Sequence, residues 1–345
     1  MGSISNFAAI STKIKAKKSK LLNEEDYRVL LSKKNVSEIV EYLKKDTGYR
    51  KVFKDINPLV AHRGQIELEL YKNIVKQIED LLPYLKGNYK KYFIATLYEY
   101  EIEDLKLILR TISRNEDTSQ LKDLLIHSKK YSSLDYENLL NSKSIEEFFE
   151  KLKGTVFYIP IKNTDNEDIL KREFHIEMQI EILFYKTLME RAVGLSREDE
   201  EIIKKSLGTI IDLNNIQWIY RGMKYYNILP EEILIYCIPG GYRLNYNKLK
   251  NLVYSQTVEN FISKIKTSKY AFVFPNDEDV YIERRINRYI YKSYLSKQKE
   301  NNMNIMEAIS YIHLLKCEVD DIISVMESIR YNFDKKLLKR YLIRE

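Results

Sequence analysis

Few residues of this chain have the type and spacing that chemistry asks for. Its four histidines, His62, His127, His175 and His313, include no pair four positions apart and no HExxH pattern. Cys237 and Cys317 stand far apart in apolar surroundings with no CxxC, so no zinc-spaced His/Cys set exists and neither a metal nor a disulfide frame is expected. GxxxxGK[ST], GxGxxG and GxSxG are all missing, which leaves no phosphate loop, dinucleotide turn or nucleophile elbow and no expected cofactor. Three carboxylates, Glu67, Glu177 and Glu283, do recur in one context, Ile-Glu-x-x-(Leu/Ile). Such a column could hold a cation or serve as acid and base. The plainer expectation is a carboxylate paired with an arginine of a neighbouring helix, with Arg110 and Arg221 as candidate partners in two copies. No catalytic residue is predicted.

Binding chemistry is little better marked. The 57 Lys and Arg exceed the 50 Asp and Glu by only seven, and the charges are interspersed, as on solvated helix faces. The densest basic run, Lys13, Lys15, Lys17, Lys18 and Lys20, suits an anionic surface, yet Ile10, Ile14, Leu21 and Leu22 beside it read as an ordinary amphipathic first helix. The 28 tyrosines could stack on bases, but no RNA- or DNA-binding motif accompanies them, and nucleic acid is not an expected partner. The N-terminus lacks an apolar signal core and no stretch reaches the roughly 18 apolar residues of a membrane span, so neither secretion nor spanning is expected. Unpaired cysteines fit a reducing compartment.

The elements that position these residues are predicted to be helices. Ten Gly and six Pro supply few of the turns that sandwiches and barrels need. The strongest signal is self-similarity, with four landmarks recurring in order 106 to 113 residues apart. A Tyr-containing helix start occurs at 22–27, 134–139 and 244–249. A short amphipathic helix follows, with apolar residues at i, i+3, i+4 and i+7: Val36, Ile39, Val40, Leu43; Ile145, Phe148, Phe149, Leu152; Val258, Phe261, Ile262, Ile265. Asn35, Ser144 and Thr257 precede these stripes as N-caps, and Glu38 and Glu147 complete capping boxes in two copies. Each short helix leads into an aromatic run, Val156-Phe157-Tyr158-Ile159 in the second copy. The Glu67/Glu177/Glu283 landmark opens a longer helix. A last amphipathic helix aligns Ile102/Leu213/Val319, Leu105/Ile216/Ile322 and Ile108/Ile219/Val325. Arg110 and Arg221 share a column there, and Glu327 takes it in the third copy. The expected organisation is an all-α chain of three helical subdomains, 1–116, 117–227 and 228–345, with boundaries at Ser113–Asp117 and Asn227–Pro230.

These landmarks carry a resemblance. Tyr100-Glu101-Ile102-Glu103-Asp104-Leu105-Lys106-Leu107-Ile108-Leu109-Arg110 and Asp212-Leu213-Asn214-Asn215-Ile216 through Tyr220-Arg221-Gly222 are similar to the acidic "EIENLK…LRG" signature of the V-type ATPase C subunits, which correspond to the d subunits of eukaryotes. Ile238-Pro239-Gly240-Gly241 resembles that family's "IPGG" turn. Thr111 departs from the family's usual glycine, and the third copy lacks the arginine. The signature residues are thus Glu101, Asp104, Arg110, Asp212, Asn215, Arg221, Gly240 and Gly241. The resemblance spans essentially the whole chain. It implies a funnel of three pseudo-equivalent subdomains, peripheral on the cytoplasmic side of the membrane. Its base would sit on the membrane rotor ring, and its open top would receive the central shaft subunit and that subunit's small partner. The implied role is a non-catalytic rotor part of the central stalk, coupling ATP synthesis or hydrolysis to proton or sodium transport. The alternative is a soluble helical adaptor that holds an anionic partner through the basic first helix.

Overall fold

The computed structural model describes residues 3–158, 169–226, 228–275, 281–299, 303–331, 333 and 335–344, and among these there is no strand. The all-helical expectation is met. In chain order the α-helices are α1 (Ser3–Lys18), α2 (Glu24–Ser32), α3 (Val36–Asp46), α4 (Arg63–Glu79), α5 (Gly87–Ala95), α6 (Tyr98–Ser113), α7 (Tyr136–Leu140) and α8 (Ile145–Leu152). They continue as α9 (Ile169–Ala192), α10 (Arg197–Lys224), α11 (Pro230–Ile235), α12 (Tyr246–Val253), α13 (Val258–Lys266), α14 (Ile282–Lys299), α15 (Ile305–Arg330) and α16 (Lys335–Tyr341). Ile159 of the aromatic run and Asn227 of the second expected boundary lie outside the described residues.

The chain divides by its contacts into two compact units: unit 1 joins residues 1–85 to 262–345, and unit 2 is 86–261. These limits differ from the sequence periods at 116/117 and 227/228. The last amphipathic helix of a period packs against elements of other periods as well as its own. In unit 1, α15 lies against α14, α1 and α4. In unit 2, α6 packs on α8 and α9.

Helix ends follow local chemistry. Asn35, Ser144 and Thr257 each accept a backbone N–H three residues on, as their side-chain lengths dictate. Glu38 and Glu147 reach back, but to the N–H of Lys34 and Lys143, one residue before the cap. The full capping box forms instead at α2, between Asn23 and Asp26.

All nine side chains of the three aligned apolar columns are buried, from Ile102, Leu105 and Ile108 to Val319, Ile322 and Val325. Each contributes about 1.5–3 kcal/mol by leaving water. In unit 2 the α6 stripe meets Phe148, Phe149, Leu152, Phe157, Ile176 and Ile180 in one core. In unit 1, Phe7, Ile10 and Ile14 bury the apolar face of α1. Leu21 and Leu22 fall beyond the end of that helix. Lys17, read from sequence as part of a basic run, turns inward. It is buried and donates to Asp80 at 2.8 Å and to Gln77.

Candidate functional site

Three residues singled out by the acidic signature, Asp104, Asp212 and Asn215, are buried and hold backbone. In unit 2 Asp104, on α6, accepts the backbone N–H groups of Ile126 at 2.9 Å and His127 at 2.8 Å, and Nδ1–H of His127 at 2.8 Å. The imidazole so oriented stacks on Tyr136, with ring centroids 3.5 Å apart and planes 5° from parallel. Asp212, on α10 and fully buried, accepts Arg243 N–H at 2.7 Å and Leu244 N–H at 3.1 Å. Asn215, one turn along α10, pairs with a single peptide unit: its Nδ2 donates to Ile238 O at 2.8 Å, and its Oδ1 accepts Ile238 N–H at 2.7 Å. A carboxylate suits a place where two N–H groups converge. An amide suits one where an N–H and a C=O sit side by side.

Glu101 differs from its neighbours. One of its oxygens, Oε2, has no hydrogen-bond partner, and burial pushes its carboxyl up to about 7. Desolvation outweighs the hydrogen bond from Ser132, and the nearby Asp104 carboxylate adds to the preference for the neutral acid.

The same use of acids recurs on α15 in unit 1, at residues outside the sequence signature. Glu318 accepts Leu22 N–H at 2.6 Å and the Tyr49 hydroxyl at 2.8 Å. Asp321 accepts Ile343 N–H at 2.6 Å, Arg344 N–H at 3.2 Å and the Tyr27 hydroxyl at 3.2 Å. Burial pushes Glu318 up to about 7 and Asp321 up to about 6, despite these donors. The signal for both was present, since the column that aligns Leu213 with Val319 also aligns Asp212 with Glu318 and Asn215 with Asp321.

Gly240 and Gly241 form the turn that delivers Ile238, Arg243 and Leu244 to α10. Gly240 holds φ +93°, which disfavours any side chain. A Cβ on Gly241 would overlap Asp212 Oδ1 and come within 2.8 Å of Leu244 O. Gly241→Ala is therefore expected to lower the stability of unit 2 by about 2–3 kcal/mol through overpacking against fixed backbone. Urea unfolding followed by the fluorescence of Trp218, the single tryptophan, measures this; a change under about 0.5 kcal/mol would contradict it.

The carboxylate column is used piecemeal. Arg110, in the last turn of α6, donates Nε and Nη2 to the two oxygens of Glu177 on α9 at 2.6 and 2.7 Å, so the arginine of the first sequence period meets the carboxylate of the second rather than Glu67 of its own. Glu67 pairs with Arg63 at 3.2 Å, and Arg63 also meets Glu327 at 2.9 Å. The acid that replaces the column arginine in the third copy thus meets a cation from α4. Glu283 lies exposed in the first turn of α14, and Arg221 lies exposed in the last turn of α10, each at the helix end that suits its charge. Among the described residues no group of three or more His, Cys, Asp or Glu side chains is placed to hold a metal ion. His313 packs half-buried beside Tyr294, and desolvation of its ring pushes it down to about 3, so it stays neutral.

The Arg110–Glu177 pair is partly exposed, which reduces its worth. A double-mutant cycle of Arg110→Ala and Glu177→Ala is expected to give a coupling of about 1 kcal/mol, and Arg110→Lys should lose most of it because an ammonium cannot form both bonds. A coupling indistinguishable from zero would show the pair to be a surface ornament.

What fold and site define is a class: an all-α protein whose buried acids hold backbone, with signature residues built into the frame itself. The chain belongs to the ATP synthase (C/AC39) subunit family, whose model matches residues 10–341. Among similar proteins, the A-type ATP synthase C subunit of Archaeoglobus fulgidus is 25% identical over 329 residues, covering 93% of this chain and 91% of that one. Its namesake in Methanosarcina mazei is 23% identical over 346 residues, covering 98% and 93%. That of Methanosphaera stadtmanae is 26% identical over 273 residues, covering 76% and 66%.

Proposed function

We propose that this protein is the non-catalytic central-stalk subunit of an A/V-type ATP synthase, a socket that couples the central shaft to the membrane rotor ring. The observation that carries the reading is the family match along residues 10–341, together with A-type ATP synthase relatives that align over nearly their full length. The helical frame agrees with it. A part that transmits torque needs stiffness, and on three helices, α6, α10 and α15, buried side chains fasten distant backbone. Asp104, Asn215 and Asp321 occupy one column of the proposed threefold repeat, which supports three subdomains, 1–116, 117–227 and 228–345, around a central opening. No helix among the described residues is long and apolar enough to cross a membrane. In this reading the protein is peripheral, on the cytoplasmic side, with the ring, the shaft subunit and the shaft's small partner as its contacts.

Affinity capture of the tagged chain from its own cell membranes is expected to recover ring and shaft proteins together. Recovery of neither from preparations with an intact complex would overturn the proposal. The anionic-adaptor alternative loses its centre at Lys17, which is committed to Asp80 and Gln77. Replacing Lys13, Lys15 and Lys20 by Gln is accordingly expected to leave capture of the complex intact.

A further inference from the structure

We infer that residues 335–344 form a strap in unit 1 whose seating on α14 and α15 closes a cleft of about 380 Å³ and controls access to Cys317 within it. The strap is fastened at two places. Arg288 of α14 donates Nε to Leu342 O at 2.8 Å and Nη2 to the carbonyls of Lys339 and Arg340 at 2.9 Å each, gathering the open carbonyls at the end of α16. Asp321 of α15 then takes the N–H groups of Ile343 and Arg344. Leu342 and Ile343 are fully buried between these fastenings.

Arg344 makes the strap a wall of the cleft. Its guanidinium donates to Leu22 O and lies 4.9 Å above the ring of Tyr27, whose hydroxyl donates to the same Asp321. Tyr291, Leu295, Cys317 and Glu318 line the rest of the cavity. The Cys317 thiol is only 4% exposed and burial pushes it up, so it is unreactive while the strap is seated.

A comparison within the molecule shows why this closure can open. In unit 2 the gripped segment Ile126–His127 runs on to Tyr136 within ten residues, so imidazole and phenol are tethered neighbours. In unit 1 the matching pieces, Arg344 and the Leu22–Tyr27 stretch, are more than 300 positions apart in sequence. No short loop joins Arg344 to Leu22, while Ile343 is only 22 positions from Asp321, so the Arg344 contact can release with the strap still held near α15 by the chain, a local opening.

The test uses the full chain with Cys237→Ser, which leaves Cys317 as the single thiol. Maleimide labelling of Cys317 is expected to run at least tenfold faster in Arg288→Ala and in Arg344→Ala than in the parent. Hydrogen-exchange protection should fall over 335–344 and 22–27 and persist along α15, with the Trp218 emission of unit 2 unchanged. Unchanged labelling in both variants would overturn the strap. So would acceleration accompanied by loss of α15 protection, because unit 1 would then be unfolding as a whole.

Discussion

Asn215→Asp, a change of one atom, is expected to destabilise unit 2 more than Asn215→Ala does. The amide faces one peptide unit with its donor on Ile238 O and its acceptor on Ile238 N–H, and Asn215 is fully buried. A carboxylate keeps the second bond and turns its other oxygen toward a carbonyl, so a buried charge meets a lone pair. The acid would have to hold a proton to fit. A loss of about 3–5 kcal/mol at neutral pH is expected, against about 2–3 for alanine, which only leaves the peptide unpaired. Urea unfolding by Trp218 fluorescence at pH 5 and pH 8 separates the cases. The aspartate variant should recover toward pH 5, and the alanine variant should be insensitive. An aspartate variant as stable as the parent at pH 8 would mean that solvent reaches the Ile238 peptide.

Glu318 is the second large effect, and its size depends on pH. Glu318→Ala removes the acceptors of Leu22 N–H and the Tyr49 hydroxyl and is expected to cost unit 1 about 2–4 kcal/mol. Because burial raises the carboxyl to about 7, folded Glu318 keeps a proton that the unfolded chain releases near the ordinary 4.5. Stability from that proton is fully present below about 4.5 and is lost as pH rises through about 7. Asp321, raised to about 6, adds a slope of the same sign. Glu318→Gln carries no such titration. Its amide can accept from Leu22 and donate to Tyr49, so it should gain on the parent by about 2–3 kcal/mol between pH 5 and pH 8. Hydrogen exchange of α15 amides across that range reads unit 1 directly. A parallel fall of parent and Glu318→Gln would show that Glu318 does not titrate in the window.

The charged lining of unit 1 shows why such groups are tolerated. Arg344, Tyr27 and Tyr49 converge on Glu318 and Asp321 from segments before α4 and after α16. Removing any one of them leaves a buried partner without its complement. Substitutions that change both partners together should therefore be milder than either single change.

By itself the sequence determined the helical class, because apolar residues at i, i+3, i+4 and i+7 and caps such as Asn35 and Ser144 act within one or two turns. The family signature marked Asp104, Asp212 and Asn215 as special, and the repeated columns offered Arg110 and Arg221 as partners for the carboxylates without saying that Arg110 would meet Glu177 of the next period. Tertiary structure decided what those residues hold. Asp104 reaches 22 positions along the chain, and Glu318 reaches Leu22 across 296. Neither distance follows from helical periodicity, which fixes a face but not the element packed on it. For the same reason Lys17 read as surface charge and proved buried against Asp80, and the contact units cut across the sequence periods. Local spacing encodes which side of a helix faces inward. The partner it meets there is set by long-range packing, where the desolvation of each polar group has to be matched by a donor or acceptor from elsewhere in the chain.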